Sequence, residues 1–72
     1  MDIVYGIIIG CIYEGGQTQR NLYTDKGEAE KEAMKIALAY NEDGAEYIYD
    51  KEKGWNEGSG YIRIYAFTIK RL

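Results

Sequence analysis

Residues 2–13, DIVYGIIIGCIY, place an apolar side chain or a glycine at nearly every position. Side chains of a β-strand alternate between the two faces of the sheet. Ile3, Tyr5, Ile7, Ile9, Cys11 and Tyr13 therefore share one face, and Val4, Gly6, Ile8, Gly10 and Ile12 share the other. Neither face is polar, so a strand of this kind belongs in the middle of a sheet and needs cover on both sides. The chain has 72 residues, read as a single domain over 1–72. A chain of that size buries only roughly 60 to 65% of the surface its unfolded form exposes, and cover is scarce.

Small domains supplement a thin core with disulfides, a structural metal or oligomerisation. The chain has one cysteine and no histidine, which excludes an intramolecular disulfide and a zinc site of Cys and His ligands. No cofactor is expected. Association with a second copy or another protein is what remains. Cys11 lies inside the apolar run, where a free thiol reads as a small buried hydrophobe, and a single free thiol fits a reducing compartment. The chain opens Met1-Asp2, without the basic region and cleavage site of a secretory signal. Its longest apolar run, about 11 residues, falls short of the ~20 that a membrane-spanning helix needs. The expectation is a cytoplasmic protein with no membrane partner.

The formal charge of -3 is unevenly spread. Residues 25–57 carry ten acids against five lysines, whereas residues 58–72 carry Arg63, Lys70 and Arg71 and no acid. This reads either as ordinary solvated surface or as an acidic helix and loop that approach a basic partner.

Along the chain, Gly15-Gly16 interrupts the first apolar run and reads as a hairpin turn. TQRNLYT then reads as a short polar strand suited to a sheet edge. At TDKGEAEKEA the period changes. Asp25 and Glu28 have the spacing of a capping box, strong helix formers follow, and Gly44 stands where a left-handed residue ends a helix. The spacing predicts one helix over 25–42. Ala29, Ala33, Ile36 and Tyr40 form one stripe, and Met34, Ala37 and Leu38 widen the apolar arc to roughly 200°, twice the ~100° a surface helix needs. Either a curved sheet covers this arc or part of it belongs to a partner.

Ala45, Tyr47 and Tyr49 alternate with Glu46, Ile48 and Asp50, the pattern of a half-exposed strand. Gly54, Gly58 and Gly60 mark a loop around Trp55. The last strand, Tyr61–Leu72, is again apolar on both faces, with Tyr61, Arg63, Tyr65, Phe67 and Ile69 on one of them. The predicted fold is α+β, a ββαββ chain whose four-stranded, mostly antiparallel sheet has the order 2-1-4-3 and carries one helix on one face. Gly6 and Gly10 would let the helix come close, so the helix is expected on the Val4, Gly6, Ile8 face. The face of Ile7 and Ile9, continued by Tyr65 and Phe67, is then left bare, and bare apolar area marks an interface. A homodimer is expected, with Ile7, Ile9, Tyr65, Phe67, Met34 and Leu38 at its interface.

Catalytic signals are nearly absent. Without histidine, Ser-His-Asp and Cys-His arrangements cannot form. Ser59, in its glycine-rich loop, has no evident base, and GWNEGSG has neither the spacing nor the lysine of a phosphate loop. The expectation is a protein that is not an enzyme. A Gly-flanked loop can present an exposed aromatic anchor, so Trp55, with Glu52 and Glu57, is the candidate contact to a partner. Nucleic acid is the alternative partner: Arg63 between Tyr61 and Tyr65 has the make-up of a stacking platform for single-stranded bases, set against an acidic chain.

The segment LYTDKGEAEKEAMKIALAYNEDGAEYIYD, residues 22–50, resembles a pattern of very small phage and mobile-element ββαββ proteins: a strand ending before Thr or Ser, a capped Glu/Ala/Lys-rich helix, then a Tyr-rich strand. Gly27 departs from the usual glutamate of that helix. The resemblance implies a class of small proteins that bind a host protein or protein complex, inhibitors of host defence among them. No site residue is carried across by it. The sequence thus points to a small protein-binding module that inhibits by occlusion.

Overall fold

A computed structural model of the chain describes residues 2–69. The element order is β1 (Asp2–Cys11), β2 (Gly15–Tyr23), α1 (Lys26–Glu42), β3 (Ile48–Asp50), β4 (Gly54–Glu57) and β5 (Gly60–Ile69). The strands form one antiparallel sheet in the order β2-β1-β5-β4-β3. The α+β class, with one helix and an antiparallel sheet, is as expected. The sheet has five strands, however, because the segment around Trp55 is β4, inserted between β5 and β3. Lys70, Arg71 and Leu72, expected to continue the last strand, lie outside the described residues.

The two strands that are apolar on both faces are central. β1 and β5 pair over their whole length, from Asp2↔Ile69 to Cys11↔Gly60. The polar β2 is an edge, as predicted, and its ladder is irregular between Gly6 and Ile8. Two hairpins share one construction. Three residues, Ile12–Glu14 or Lys51–Lys53, make the turn, and the glycine after them, Gly15 at φ 78° or Gly54 at φ 77°, adopts the left-handed conformation. Three-residue hairpin loops use this combination of a turn and a glycine bulge. The first turn therefore precedes Gly15-Gly16 rather than consisting of it, and Gly16 belongs to β2.

The helix docks through alanines. Ala29, Ala33 and Ala37 lie four residues apart on one stripe and are fully buried, and small side chains let α1 approach the sheet closely. Ala33 and Ala37 pack on Ile7 and Ile62, with Ile9, Tyr23, Ile36, Tyr47, Trp55 and Ile64 around them. Each large apolar side chain fully buried here contributes on the order of 1.5 to 3 kcal/mol. A helix of 17 residues is about 25 Å long, while a strand of ten residues extends roughly 33 Å. The helix cannot roof the sheet to its ends, and Ile3 remains exposed.

The register corrects the expected faces. Ile9 pairs with Ile62 and Ile7 with Ile64, so odd residues of β1 share a side with even residues of β5. That side carries the helix. Ile7 is 1% exposed and Ile9 is half-buried beneath α1, so neither reaches a second copy while the helix is docked. Val4, Gly6, Ile8 and Gly10, with Tyr65 and Phe67, form the open face instead. The broad apolar arc of the helix is only partly used, since Met34, Leu38 and Tyr40 stay exposed.

The helix ends are also informative. Asp25 is the N-cap residue, but its carboxylate makes no capping hydrogen bond. Its carbonyl accepts from the Ala29 N–H at 3.3 Å, and Glu28 lies beside Lys31, 3.8 Å away, instead of reaching back. The expected capping box is not formed. At the other end Gly44 has φ 104°, the left-handed conformation anticipated for it, and its N–H donates to the Asn41 carbonyl. No helix among the described residues is long and apolar enough to cross a membrane.

Candidate interaction surface

The open face is built from alternate residues of five strands. β1 contributes Val4, Gly6, Ile8 and Gly10; opposite them β5 contributes Phe67, Tyr65, Arg63 and Tyr61. Leu22 of β2 stands beside Gly6, and Ile48 of β3 is opposite Asn56, which is itself opposite Tyr61. The glycines of β1 serve this face and not the helix. A Cβ on Gly6 would come within 2.8 Å of the Phe67 ring and 3.2 Å of Leu22, and one on Gly16 within 2.8 Å of the Tyr61 hydroxyl. Aromatic rings of β5 thus lie over a lane where β1 and β2 have no side chains, and glycine leaves room for them. This leaves Leu22, Ile48, Tyr65, Phe67 and Ile69 substantially exposed on one side of the sheet.

Arg63 lies flat on this face, its Cζ 4.3 Å from the centroid of the Tyr61 ring. Its Nε is buried and has no hydrogen-bond partner among the described residues. The cation–π contact, worth roughly 0.5 to 1 kcal/mol at an exposed site, offsets part of that cost. Beside it a cleft of about 450 Å³ opens between Ile12, Ile48, Asn56, Ser59 and Tyr61. A second cleft, about 530 Å³, lies at the β5 edge between the start of α1 and the β3–β4 hairpin, lined by Ala33, Tyr49, Trp55 and Ile64.

Of the predicted partner residues, Trp55 and Glu52 both line this second cleft, and Glu57 stands two residues from Trp55 on the same strand. Trp55 is not on a free loop. It lies on β4, half-buried against the core, its ring 5.3 Å from that of Tyr49. Glu57 is half-buried at the end of the same strand, and its charge, together with burial and Tyr40, holds the Tyr47 phenol above its ordinary pKa, with burial the larger cause. Glu52 is in the β3–β4 turn, where its N–H and that of Lys53 donate to Asp50 Oδ1 at 2.8 and 3.0 Å. These two bonds hold the Asp50 carboxyl below the usual carboxylate range.

Of the expected interface residues, Tyr65 and Phe67 lie on the open face, Met34 and Leu38 on the exposed side of the helix, and Ile7 and Ile9 in the core. Sequence reasoning missed Leu22 and Ile48. The signal for Ile48 was its place between Glu46 and Asp50 on the polar side of its strand, an apolar residue where none is needed for the core. Cys11 is half exposed and not a buried filler, with its Sγ 3.3 Å from Ser59 Oγ. That contact, with backbone groups of Tyr13 and Glu14, lowers the thiol pKa. Among the described residues no group of three Asp, Glu or Cys side chains is placed to hold a metal ion. Compared with protein-family models, with curated proteins and with solved structures, the chain matches none of them.

Proposed function

We propose that this protein is a small, non-enzymatic protein-binding module that docks through the open face of its sheet and acts by occluding a host protein complex. The observation that carries this reading is the one-sided fold. A single helix covers one face, while Leu22, Ile48, Tyr65, Phe67 and Ile69 remain exposed on the other. Leu22, Tyr65, Phe67 and Ile69 group at one end of this face; exposed apolar area of this kind marks an interaction surface, and its aromatic content is that of an interface centre. The test is capture from a bacterial lysate by the immobilised protein, compared with its Leu22→Asp, Ile48→Asp and Met34→Asp variants. Loss of capture with the first two and retention with Met34→Asp, on the helix, supports the reading. Capture that survives both open-face substitutions refutes it.

A second reading is favoured by one observation: Tyr61, Arg63 and Tyr65 alternate along β5 on the open face, as a platform for single-stranded nucleic acid requires. Against it, the guanidinium of Arg63 covers one face of Tyr61, and the chain carries a net charge of -3. Salt-sensitive binding of an oligonucleotide, lost in Tyr65→Ala, would establish this reading in place of the first.

A further inference from the structure

Besides the start of β1, where Ile3 and Val4 precede the first β2 partner, the described residues leave three stretches of strand without a ladder partner on one side, and they are treated differently. The β2 edge is polar, carries Arg20 and has an irregular register. The β3 edge is three residues long and ends in Asp50. Polar or charged side chains, bulges and brevity are the devices by which proteins blunt sheet edges. The third place has none of them. β4 pairs with β5 only from Glu57↔Gly60 to Trp55↔Ile62, and β3 pairs with β4 alone. Among the described residues, Ile64 to Ile69 are therefore bonded to β1 on one side and have no strand partner on the other, where the Lys51–Lys53 turn reaches only as far as the cleft beside Ile64 and Tyr65. The segment reads IYAFTI, without a charge, proline or glycine. Alternate N–H and C=O groups of such a strand point outward and seek a partner strand.

We infer that this edge pairs with the same edge of a second copy, antiparallel about a two-fold axis through Ala66, so that one sheet runs through both molecules. This goes beyond docking on the open face, which stays available on the dimer. Three features favour a second copy over an unrelated peptide. A two-fold axis sets each strand opposite itself, where any charge would meet its own kind; residues 64–69 have none. Outward groups must meet outward groups, so residues of like parity stand opposite each other, and the axis passes through a residue. Ala66 is the smallest in the segment, and its side chain is exposed. With the axis there, Tyr65 stands opposite the partner's Phe67 and Phe67 opposite the partner's Tyr65. Aromatic cross-strand pairs of this kind stabilise antiparallel strands, and both side chains are about 40% exposed, Tyr65 41% and Phe67 39%. Isologous pairing of this type is the commonest oligomeric symmetry.

The experiment is sedimentation equilibrium of the full chain from low to high micromolar concentration, with Ala66→Lys, Ala66→Glu, their equimolar mixture and Ile48→Asp. The expected result is a dimer of twice the 8.3 kDa chain mass. Each Ala66 variant alone should dissociate about tenfold more readily, since like charges then meet at the axis. The mixture should recover the dimer as a hetero-pair, which also demonstrates that both variants are folded. Ile48→Asp, on the open face but away from the edge, should leave the mass unchanged. A wild-type monomer at every concentration overturns the inference. So does a dimer indifferent to both Ala66 variants, a mixture that does not recover, or a dimer lost in Ile48→Asp and kept in Ala66→Lys. None of these results bears on lysate capture, so this inference and the open-face reading fail separately.

Discussion

Asn41 holds the backbone of Tyr47 at both of its polar groups: the Tyr47 N–H donates to Asn41 Oδ1 at 2.7 Å, and Asn41 Nδ2 donates to the Tyr47 carbonyl at 3.1 Å. A side-chain amide presents one donor and one acceptor side by side, so it satisfies a peptide group as a neighbouring strand would. Here it does so just before β3, where the chain leaves the helix and the Tyr40 and Tyr47 rings stand 5.8 Å apart. Asn41→Ala leaves both backbone groups half-buried without partners and should cost roughly 1 to 3 kcal/mol. Asn41→Asp keeps the acceptor and loses the donor, so it should fall between. Urea denaturation of the three proteins checks the order, and an Asn41→Ala protein as stable as the wild type contradicts the clamp.

Two glycines of β1 should differ sharply in their tolerance of a methyl group. At Gly6 the added Cβ meets the ends of Phe67 and Leu22, side chains on the open face that have room to swing aside. Alanine also narrows the unfolded ensemble, a gain of roughly 0.5 to 1 kcal/mol, so Gly6→Ala should stay within about 1 kcal/mol of wild type. At Gly10 the Cβ meets backbone of β2, namely Gly16 Cα and the Gly15 carbonyl. No rotamer relieves that contact, and Gly10→Ala should cost about 2 to 3 kcal/mol, the upper range for overpacking. Thermal melts of the two variants decide it; equal losses would contradict this placement of β2.

The helix and the central strands were legible because local chemistry determines them. Glu, Ala and Lys from residue 26 onward favour helix whatever surrounds them, and Gly44 ends it with a backbone angle other residues avoid. The strand pair β1–β5 was visible in its doubly apolar faces. The choice between those faces was not, because DIVYGIIIGCIY is equally apolar on both; it depends on the register Ile9↔Ile62 and on the alanine stripe that lands there. β4 was hidden since three residues between Gly54 and Gly58 look like a loop until the Lys51–Lys53 turn is seen to fold them back. The capping box illustrates the reverse case, a local pattern present but unformed. Asp25→Ala should therefore cost less than about 1 kcal/mol, the share of dipole attraction alone, and the loss should shrink with added salt. A larger, salt-insensitive loss would mean that the carboxylate caps the helix in solution.

Acid stability should carry a signature of the β3–β4 turn. The N–H groups of Glu52 and Lys53 favour the ionised form of Asp50 and depress its pKa below the ordinary 3.8. A carboxyl with a lower pKa folded than unfolded contributes stability that is present in full above its unfolded value and is lost as the pH falls through the folded one. The contribution should be constant at neutral pH and decline from about pH 4 downward. Asp50→Ala should lower stability at pH 7 and flatten the acid limb of a plot of stability against pH. An acid limb unchanged in this variant would show that the turn is not held by the carboxylate.

Cys11 and Ser59 should be readable through thiol chemistry. They bring the ends of β1 and the β4–β5 turn together, with the Ile12 N–H donating to the Ser59 carbonyl at 2.9 Å beside the thiol contact. The Ser59 hydroxyl is the leading cause of the lowered Cys11 pKa, because it can donate to the thiolate, and backbone groups of Tyr13 and Glu14 add to it. A half-exposed thiol with this environment should react with a soluble disulfide reagent while the protein is folded, since the thiolate is the nucleophile. Ser59→Ala removes the donor and should move the midpoint of the rate–pH profile upward with little change in stability. The reaction rate measured against pH in native buffer tests this. A wild-type thiol that reacts only after unfolding, or a Ser59→Ala profile that does not move, would contradict the contact.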